Sequence, residues 1–525
     1  MGGTARAPRA HPNARRSASR RSSKGGRGSA AAREARAAAA LTADDFEVVV
    51  GIETHVQLNT ATKAFCSCAN QYGAEPNTKV CPVCMGNPGT LPVLNEGVLR
   101  KGVALGLALQ CGIAPVSKFD RKQYFYPDLP KGYQVSQYDE PLAAGGRVEL
   151  VLPAAEGGAR KTVGVTRAHL EEDAGKSTHG KSHSLVDFNR AGVPLVEIVS
   201  EPDMRSGREA AAYGQELRRI VRFLGVCDGD MSQGSMRCDV NVSVRPRGDE
   251  SLGTKVEIKN MNSFSAVAKA VDYEFARQTA AIIAGTADEE VVQETRTWDE
   301  GSQATVSMRR KGGQADYRYF PEPDLPPVRV TGEYLDEVRT ALPEMPRQLR
   351  ERYESLGLPL QDVLVLAEDV DISRYFDAAM EAGAPPKPAA NFIMGDVLGH
   401  LNATKGAVGD LKLTPAALAE LIALIEDDTI SSKIAKEILP TLLEEGGSPK
   451  ALVEAKGLTQ MSDTGELQAM IDQLLEENPA EVEQFRAGRD RVKGFFVGKI
   501  MKQTGGRANP KLIDKLLTPK LKGEE

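Results

Sequence analysis

Between His169 and Asp203 the chain reads HLEEDAGKSTHGKSHSLVDFNRAGVPLVEIVSEPD. Glu171, Glu172 and Asp173 stand in a row just after His169, and Glu197 and Glu201 share the segment LVEIVSEP. Hard cations such as Mg²⁺ take carboxylate oxygens, and phosphoryl transfer from ATP needs such cations to bridge phosphate oxygens. Acids this close repel one another unless a cation lies among them. A solvated acidic turn has the same composition, so the elements that carry these residues must decide.

Side chains alternate sides along a strand, so residues two apart share a face. In VVVGIETHVQL, Glu53, His55 and Gln57 fall on one face and Ile52, Val56 and Leu58 on the other. In RCDVNVSVR the polar face is Arg237, Asp239, Asn241, Ser243 and Arg245, with Val240, Val242 and Val244 behind. KVEIK offers Lys255, Glu257 and Lys259; LVEIVSE offers Glu197 and Glu201. One face of an antiparallel sheet is often merely wet. These faces, however, carry His, Asn, Gln and Arg among the acids, which are ligands and hydrogen-bonding groups. A concave sheet lined this way holds cations, a triphosphate and a carboxylate substrate.

The run Asp173-Ala174-Gly175-Lys176-Ser177-Thr178 mimics the end of a P-loop, but the earlier glycine falls at Leu170 and acids precede the lysine. A phosphate cradle there is rejected. Cys66-x-Cys68 and Cys81-Pro-Val-Cys84 form a four-thiolate pattern suited to tetrahedral Zn²⁺. Four sulfurs leave no open position for water, so this site is expected to be structural. Cys111, Cys227 and Cys238 read as lone core thiols.

The chain has 525 residues, 41% hydrophobic and 26% charged, which suits a protein of several domains. Residues 1–40 hold nine Arg, one Lys and one acid, Glu34. With no apolar core, residues 1–42 read as a disordered organellar transit peptide, for chloroplast or mitochondrion. They carry 10 − 1 = +9 of a total of −6, leaving −15 for the rest. Nucleic acid would therefore need a local basic patch. Residues 486–522 supply one, with eleven Lys and Arg against Asp490 and Asp514. Residues 43–330 predict an α+β domain on a large, mostly antiparallel sheet, with helices near 208–224 and 264–284. APPKPAA (384–390) reads as a linker or turn. Thr414-Pro415 reads as a cap with Pro at the first helical position, and EEGGSPK (444–450) separates two helical groups. A helical linker domain is expected at 331–405 and a helical tail at 406–525.

HLEEDAGKSTH, SLVDFNRAGVPLVEIVSEPD, GSMRCDVNVSVRP and KVEIKNMNSF, with VGIETHVQL, KFDRKQYFYPDLPKGYQVSQYD and DYRYFPEPDLPP, carry a family resemblance. Over roughly residues 46–520 the chain resembles the B subunit of glutamyl-tRNA(Gln)/aspartyl-tRNA(Asn) amidotransferase. The resemblance implies a catalytic domain similar to glutamine synthetase and the guanidino kinases. It implies an ATP-dependent carbon–nitrogen ligase: the side-chain carboxylate of misacylated tRNA is phosphorylated, then amidated. It also implies two partners, an amidase subunit (GatA) supplying ammonia from glutamine and a small subunit (GatC), since no glutaminase pattern is evident here.

On that footing the expected Mg²⁺ ligands are Glu53, His55, Glu171 and Glu197, with Asp239 and Glu257 as further catalytic candidates. Arg237, Lys255 and Lys259 would steady phosphate charge, and Glu172 would join Glu197 at the nucleotide. Zn²⁺ would bind Cys66, Cys68, Cys81 and Cys84. Lys499, Lys502, Arg507 and Lys511 are the expected tRNA contacts. Around Ser232 and Gln233 the family often carries an acid that this chain lacks. Two other readings remain at this point: a ligase acting on a free amino acid, and a zinc-stabilised tRNA-binding scaffold.

Overall fold

The computed structural model describes residues 41–152, 159–310, 316–460, 464–505 and 508–523. The first 40 residues of the leader, and Arg507, lie outside them. Among the described residues the strands begin with β1 (Phe46–Gln57), β2 (Gly112–Ile113), β3 (Val116–Ser117), β4 (Asp120–Gln123) and β5 (Tyr133–Ser136). They continue with β6 (Ala143–Val151), β7 (Arg160–Glu172), β8 (Lys176–His179), β9 (Ser184–Asp187), β10 (Pro194–Ser200) and β11 (Met236–Pro246). The last are β12 (Val256–Lys259), β13 (Glu294–Asp299), β14 (Ala304–Arg310), β15 (Phe320–Pro321) and β16 (Val328–Arg329).

Nine of them build one sheet, in the order β14-β13-β12-β11-β1-β10-β7-β6-β2. Its neighbours pair antiparallel except β12 and β13, which run parallel. The fold is thus α+β on a mixed, mostly antiparallel sheet. Along β1 the alternation is plain: Ile52, Thr54 and Val56 are buried, while Glu53, His55 and Gln57 are half-buried. The apolar faces of β1, β10, β11 and β7 enter one core with the helices Glu96–Ala108, Gly207–Phe223 and Phe264–Ala284.

Local chemistry sets these helices. Ser206 and Ser263 cap the second and third by accepting from Glu209 N and Ala266 N, and Gly285 ends the third at φ 74°. The first helix lies close on the sheet at Gly102 and Gly106, one turn apart. A Cβ there would stand 2.8 Å from a Leu170 methyl and 2.7 Å from that of Ile113. The AGKST run opens the β8–β9 hairpin, not a helix, so it has none of the geometry of a P-loop.

Three expectations need correction. Glu201 does not share the face of Glu197, because a bulge between Val199 and Ser200 breaks the alternation. Glu201 is exposed and accepts from Thr166 Oγ1. APPKPAA is not a linker; Pro386–Phe392 is helical, since proline is tolerated in a first turn. The apolar side chains do not divide at 405: residues from Leu349 to Val453 share one core. Thr414 does cap the helix Pro415–Glu426, but inside that core. A third, smaller core runs from Leu467 to Leu521.

The second core is fastened to the sheet domain through the helix Gly207–Phe223. Phe223 inserts into it, and Arg350, almost fully buried, donates from Nη1 and Nη2 to Glu216 at 3.1 and 2.7 Å. Arg219–Glu368 and Arg222–Asp369 flank this pair. Removing Arg350 leaves the buried Glu216 carboxylate with Arg219 as its remaining partner and empties the space the side chain filled. Arg350→Ala is expected to destabilise the chain by about 3 kcal/mol in urea denaturation, with early proteolytic cutting between residues 339 and 350. Wild-type stability would refute the role.

Candidate active site

The register of the central strands brings four residues into one rung. His169 on β7 pairs with Glu197 on β10, Glu197 with His55 on β1, and His55 with Arg237 on β11. Glu171, two residues along β7, reaches the same point. His55 Nε2 lies 3.5 Å from Glu171 and 3.4 Å from Glu197; His169 Nε2 lies 3.8 and 3.5 Å from the same two carboxylates. Ligand atoms of His55, Glu171 and Glu197 all fall within 4.8 Å of one another, a set that could hold a metal ion.

Electrostatics show how strongly this point favours positive charge. Burial opposes a charge on His55, yet the Glu197 hydrogen bond and the charges of Glu197, Glu171 and Asp239 push it up to about 9. Burial likewise opposes ionised Glu197, but His169 and His55 hold it well below the usual carboxylate range. Lys122, on β4, is raised against its burial by Glu171 and Glu197. Ser136 on β5 donates to Glu171 at 3.2 Å, and Arg167 Nε donates to His169 Nδ1 at 3.4 Å. Both carboxylates are thus fixed and surrounded by donors.

A cavity of about 480 Å³ opens above this rung. It is lined by Glu53, Asp239, Lys255, Glu257 and Lys259 along the sheet. Most of these are already paired. Glu53 accepts from Asn241 at 2.9 Å, Lys259 bridges Asp239 and Glu257, and Thr295 donates to Glu257. Glu53 thus stands outside the three-residue metal set. Lys255 is exposed at the mouth. Arg237 is held 3.0 Å from Asp173, whose carboxylate stays low despite burial because of Arg237 and Arg190.

Glu172 does not belong here. It is one residue off the face of Glu171, so its side chain turns to the other side of β7. There it accepts from Lys131 and from Val135 N. Sequence reasoning also missed His169, Lys122, Tyr124, Tyr138, Tyr317 and Tyr319, all on the cavity wall. His169 alternates with Glu171 and could have been read from that spacing. The others lie on separate loops and strands, where periodicity gives no face.

The sulfurs of Cys66, Cys68, Cys81 and Cys84 lie within 4.8 Å of one another. Lys63 is fully buried and donates to Cys84 at 3.6 Å; Cys81 N donates to the same sulfur at 3.2 Å. The Cys66 hydrogen bond, Cys81 N–H and the Lys63 charge draw Cys84 down to about 4. Cys66 is pushed up as the partner that keeps its proton. This loop packs under β7: Ala64 N donates to Gly192 O, and Gly192 N to Asp173 O. Gly192 has φ +82°, and a Cβ on it would lie 3.4 Å from Cys84 Cβ.

Of the tail residues, Lys502 and Lys511 are exposed. Lys499 is half-buried and donates to Asn478, over the Phe495 ring. Ser232 and Gln233 occupy a turn in which both donate to Asp230.

Residues 48–336 match the family model of the GatB/GatE catalytic domain, and residues 374–521 that of the GatB domain. The chloroplastic/mitochondrial glutamyl-tRNA(Gln) amidotransferase B subunit of Ostreococcus lucimarinus is 60% identical over 91% of this chain and 97% of its own length. Its namesake in Physcomitrium patens is 60% identical over 92% and 86%. The aspartyl/glutamyl-tRNA(Asn/Gln) amidotransferase B subunit of Thermosynechococcus vestitus is 61% identical over 92% and 97%. With two matched segments that contain the sheet, its acidic rung and the helical tail, the chain belongs to the GatB family.

Proposed function

We propose that this chain is the kinase and amidation subunit of an organellar tRNA-dependent amidotransferase. Its substrate is glutamyl-tRNA(Gln), with aspartyl-tRNA(Asn) as the second acceptor named among its relatives. The observation that carries the reading is the pair of buried carboxylates, Glu171 and Glu197, held against His55 and His169 in a cavity ringed by Lys122, Arg237, Lys255 and Lys259. The sheet is then of the glutamine synthetase and guanidino kinase kind.

A carboxylate resists ammonia because oxide would have to leave. Here a side-chain carboxylate oxygen attacks the γ-phosphorus of ATP, the bond to the bridging oxygen breaks, and ADP departs. Ammonia then attacks the acyl carbon and expels phosphate, giving the amide. The two carboxylates would suit Mg²⁺, which when bound neutralises charge on the transferring phosphoryl group; the His55 imidazole would be the weaker ligand of the three and would have to be neutral to bind. Lys122 and Arg237 offer charge to phosphate oxygens, and Ser136 and Arg167 keep Glu171 and His169 in place. Ammonia comes from a partner glutaminase of the amidase type, GatA, joined by the small subunit GatC. The four cysteines hold structural Zn²⁺, for which Lys63 offsets part of the thiolate charge.

Three measurements check this. The chain co-expressed with both partners is expected to turn over ATP when glutamyl-tRNA(Gln) is present, and Glu197→Gln to lower kcat about a hundredfold or more. Turnover indifferent to tRNA would favour a ligase for a free amino acid. Elemental analysis of reduced protein should find about one zinc per chain, lost in Cys84→Ser with a lower Tm; a zinc-free, equally stable wild type contradicts the site. Ending the chain after Gln460 spares the core that extends to Val453. This variant should keep ATP binding and lose tRNA affinity about tenfold or more, most of it at low salt. Unchanged affinity would remove the tail from tRNA recognition.

A further inference from the structure

One wall of the cavity is aromatic, and no step above uses it. Tyr138 and Tyr319 lie parallel, with centroids 4.3 Å apart and planes at 8°. The other close ring pairs among the described residues meet edge-on, at 69° to 88°. Both arrangements are favourable for packed rings, but only a parallel pair presents a flat, rigidly backed outer face. Tyr138 is 58% exposed, so its face away from Tyr319 stands open. Both rings line the cavity that contains His55, Glu171 and Glu197.

This pair is built to stay in place. Tyr138 N donates to Asp120, a buried carboxylate on β4. Arg121, the next residue, makes two 2.8 Å bonds to buried Glu322, three residues beyond Tyr319. Those anchors fix the two chain segments from which the rings project, so little ordering is left for a ligand to impose. Lys122 lies 5.3 Å from the Tyr317 ring centroid and is raised by the charges of Glu171 and Glu197, so one cation answers to both the aromatic wall and the acidic rung. A flat π-face, then a cation, then a metal-binding acidic cluster is the sequence of groups that a nucleoside phosphate matches: base, phosphates, cation.

We propose that Tyr138, backed by Tyr319, is the stacking platform for an adenine ring in this cavity. The inference rests on the proposed function for its choice of ligand. Adenine reaches the site from two sources, ATP and the terminal adenosine of the acylated tRNA, and the platform chemistry is the same for both. A protein partner is less well matched, because the rings line a concave wall beside buried charge.

The test uses the assembled complex with Tyr138→Ala and Tyr138→Phe. Equilibrium binding is measured for ATP with Mg²⁺, for inorganic triphosphate with Mg²⁺, and for an oligonucleotide ending in CCA. Base stacking lost on truncation predicts a fall of about fivefold or more for one adenine ligand. Tyr138→Phe should restore it, and triphosphate binding should not change. A fall for ATP assigns the platform to the nucleotide; a fall for the oligonucleotide assigns it to the tRNA end. No change for either, an equal loss of triphosphate, or failure of Tyr138→Ala to assemble with its partners would overturn the proposal. Because binding is read without turnover, absent tRNA-dependent ATP hydrolysis would refute the proposed function and leave this result legible.

Discussion

Two carboxylates held together out of bulk water are the constraint around which the catalytic domain is arranged. Glu171 and Glu197 are both buried. Such a pair is costly unless charge of opposite sign and hydrogen bonds surround it. The fold meets that cost from several directions. His55 and His169 approach from the sheet, Lys122 from a separate small sheet, and Ser136 donates from the next strand. A site so rich in fixed negative charge is prepared for a cation before any substrate arrives. The upward shift of His55 marks where that charge is wanted.

The supporting layers follow from the same demand for fixed positions. On the other side of the sheet, valines, isoleucines and leucines pack three helices against β1, β10 and β11, so the rung cannot shift without disturbing the core. Below β7 the cysteine loop tethers Gly192, which in turn holds the Asp173 backbone. Asp173 steers Arg237 into the cavity. The cysteine loop, which contributes no side chain to the rung, can in this way position Arg237. Glu172 contributes to that support, fastening Lys131 and β5 to β7 from behind.

The helical part is organised by a different interaction. Arg350 and Glu216 bury a bidentate ion pair at the boundary, and Phe223 crosses it. The second core therefore moves with the sheet, whereas the basic terminal core has its own apolar centre. A rigid catalytic body with a separate basic module suits a macromolecular substrate whose reacting end must enter one cavity while its backbone is held elsewhere.

The sequence by itself determined faces and helix ends. Period-two alternation put Glu53, His55 and Gln57 together, because a strand leaves no other choice, and side-chain caps located helices such as Pro415–Glu426. Cysteine spacing named the four sulfurs that the structure gathers. It could not say which strands are neighbours, or in what register. That choice, made by packing across the whole sheet, selects His55, Glu171 and Glu197 and leaves Glu53 to Asn241. Nor could it place Lys122 and the tyrosines, since β4 and the 317–319 segment meet through strand pairing and the Arg121–Glu322 pair, between residues some two hundred apart in the chain. Local sequence fixes where a side chain points relative to its own backbone. Only long-range pairing decides what it points at.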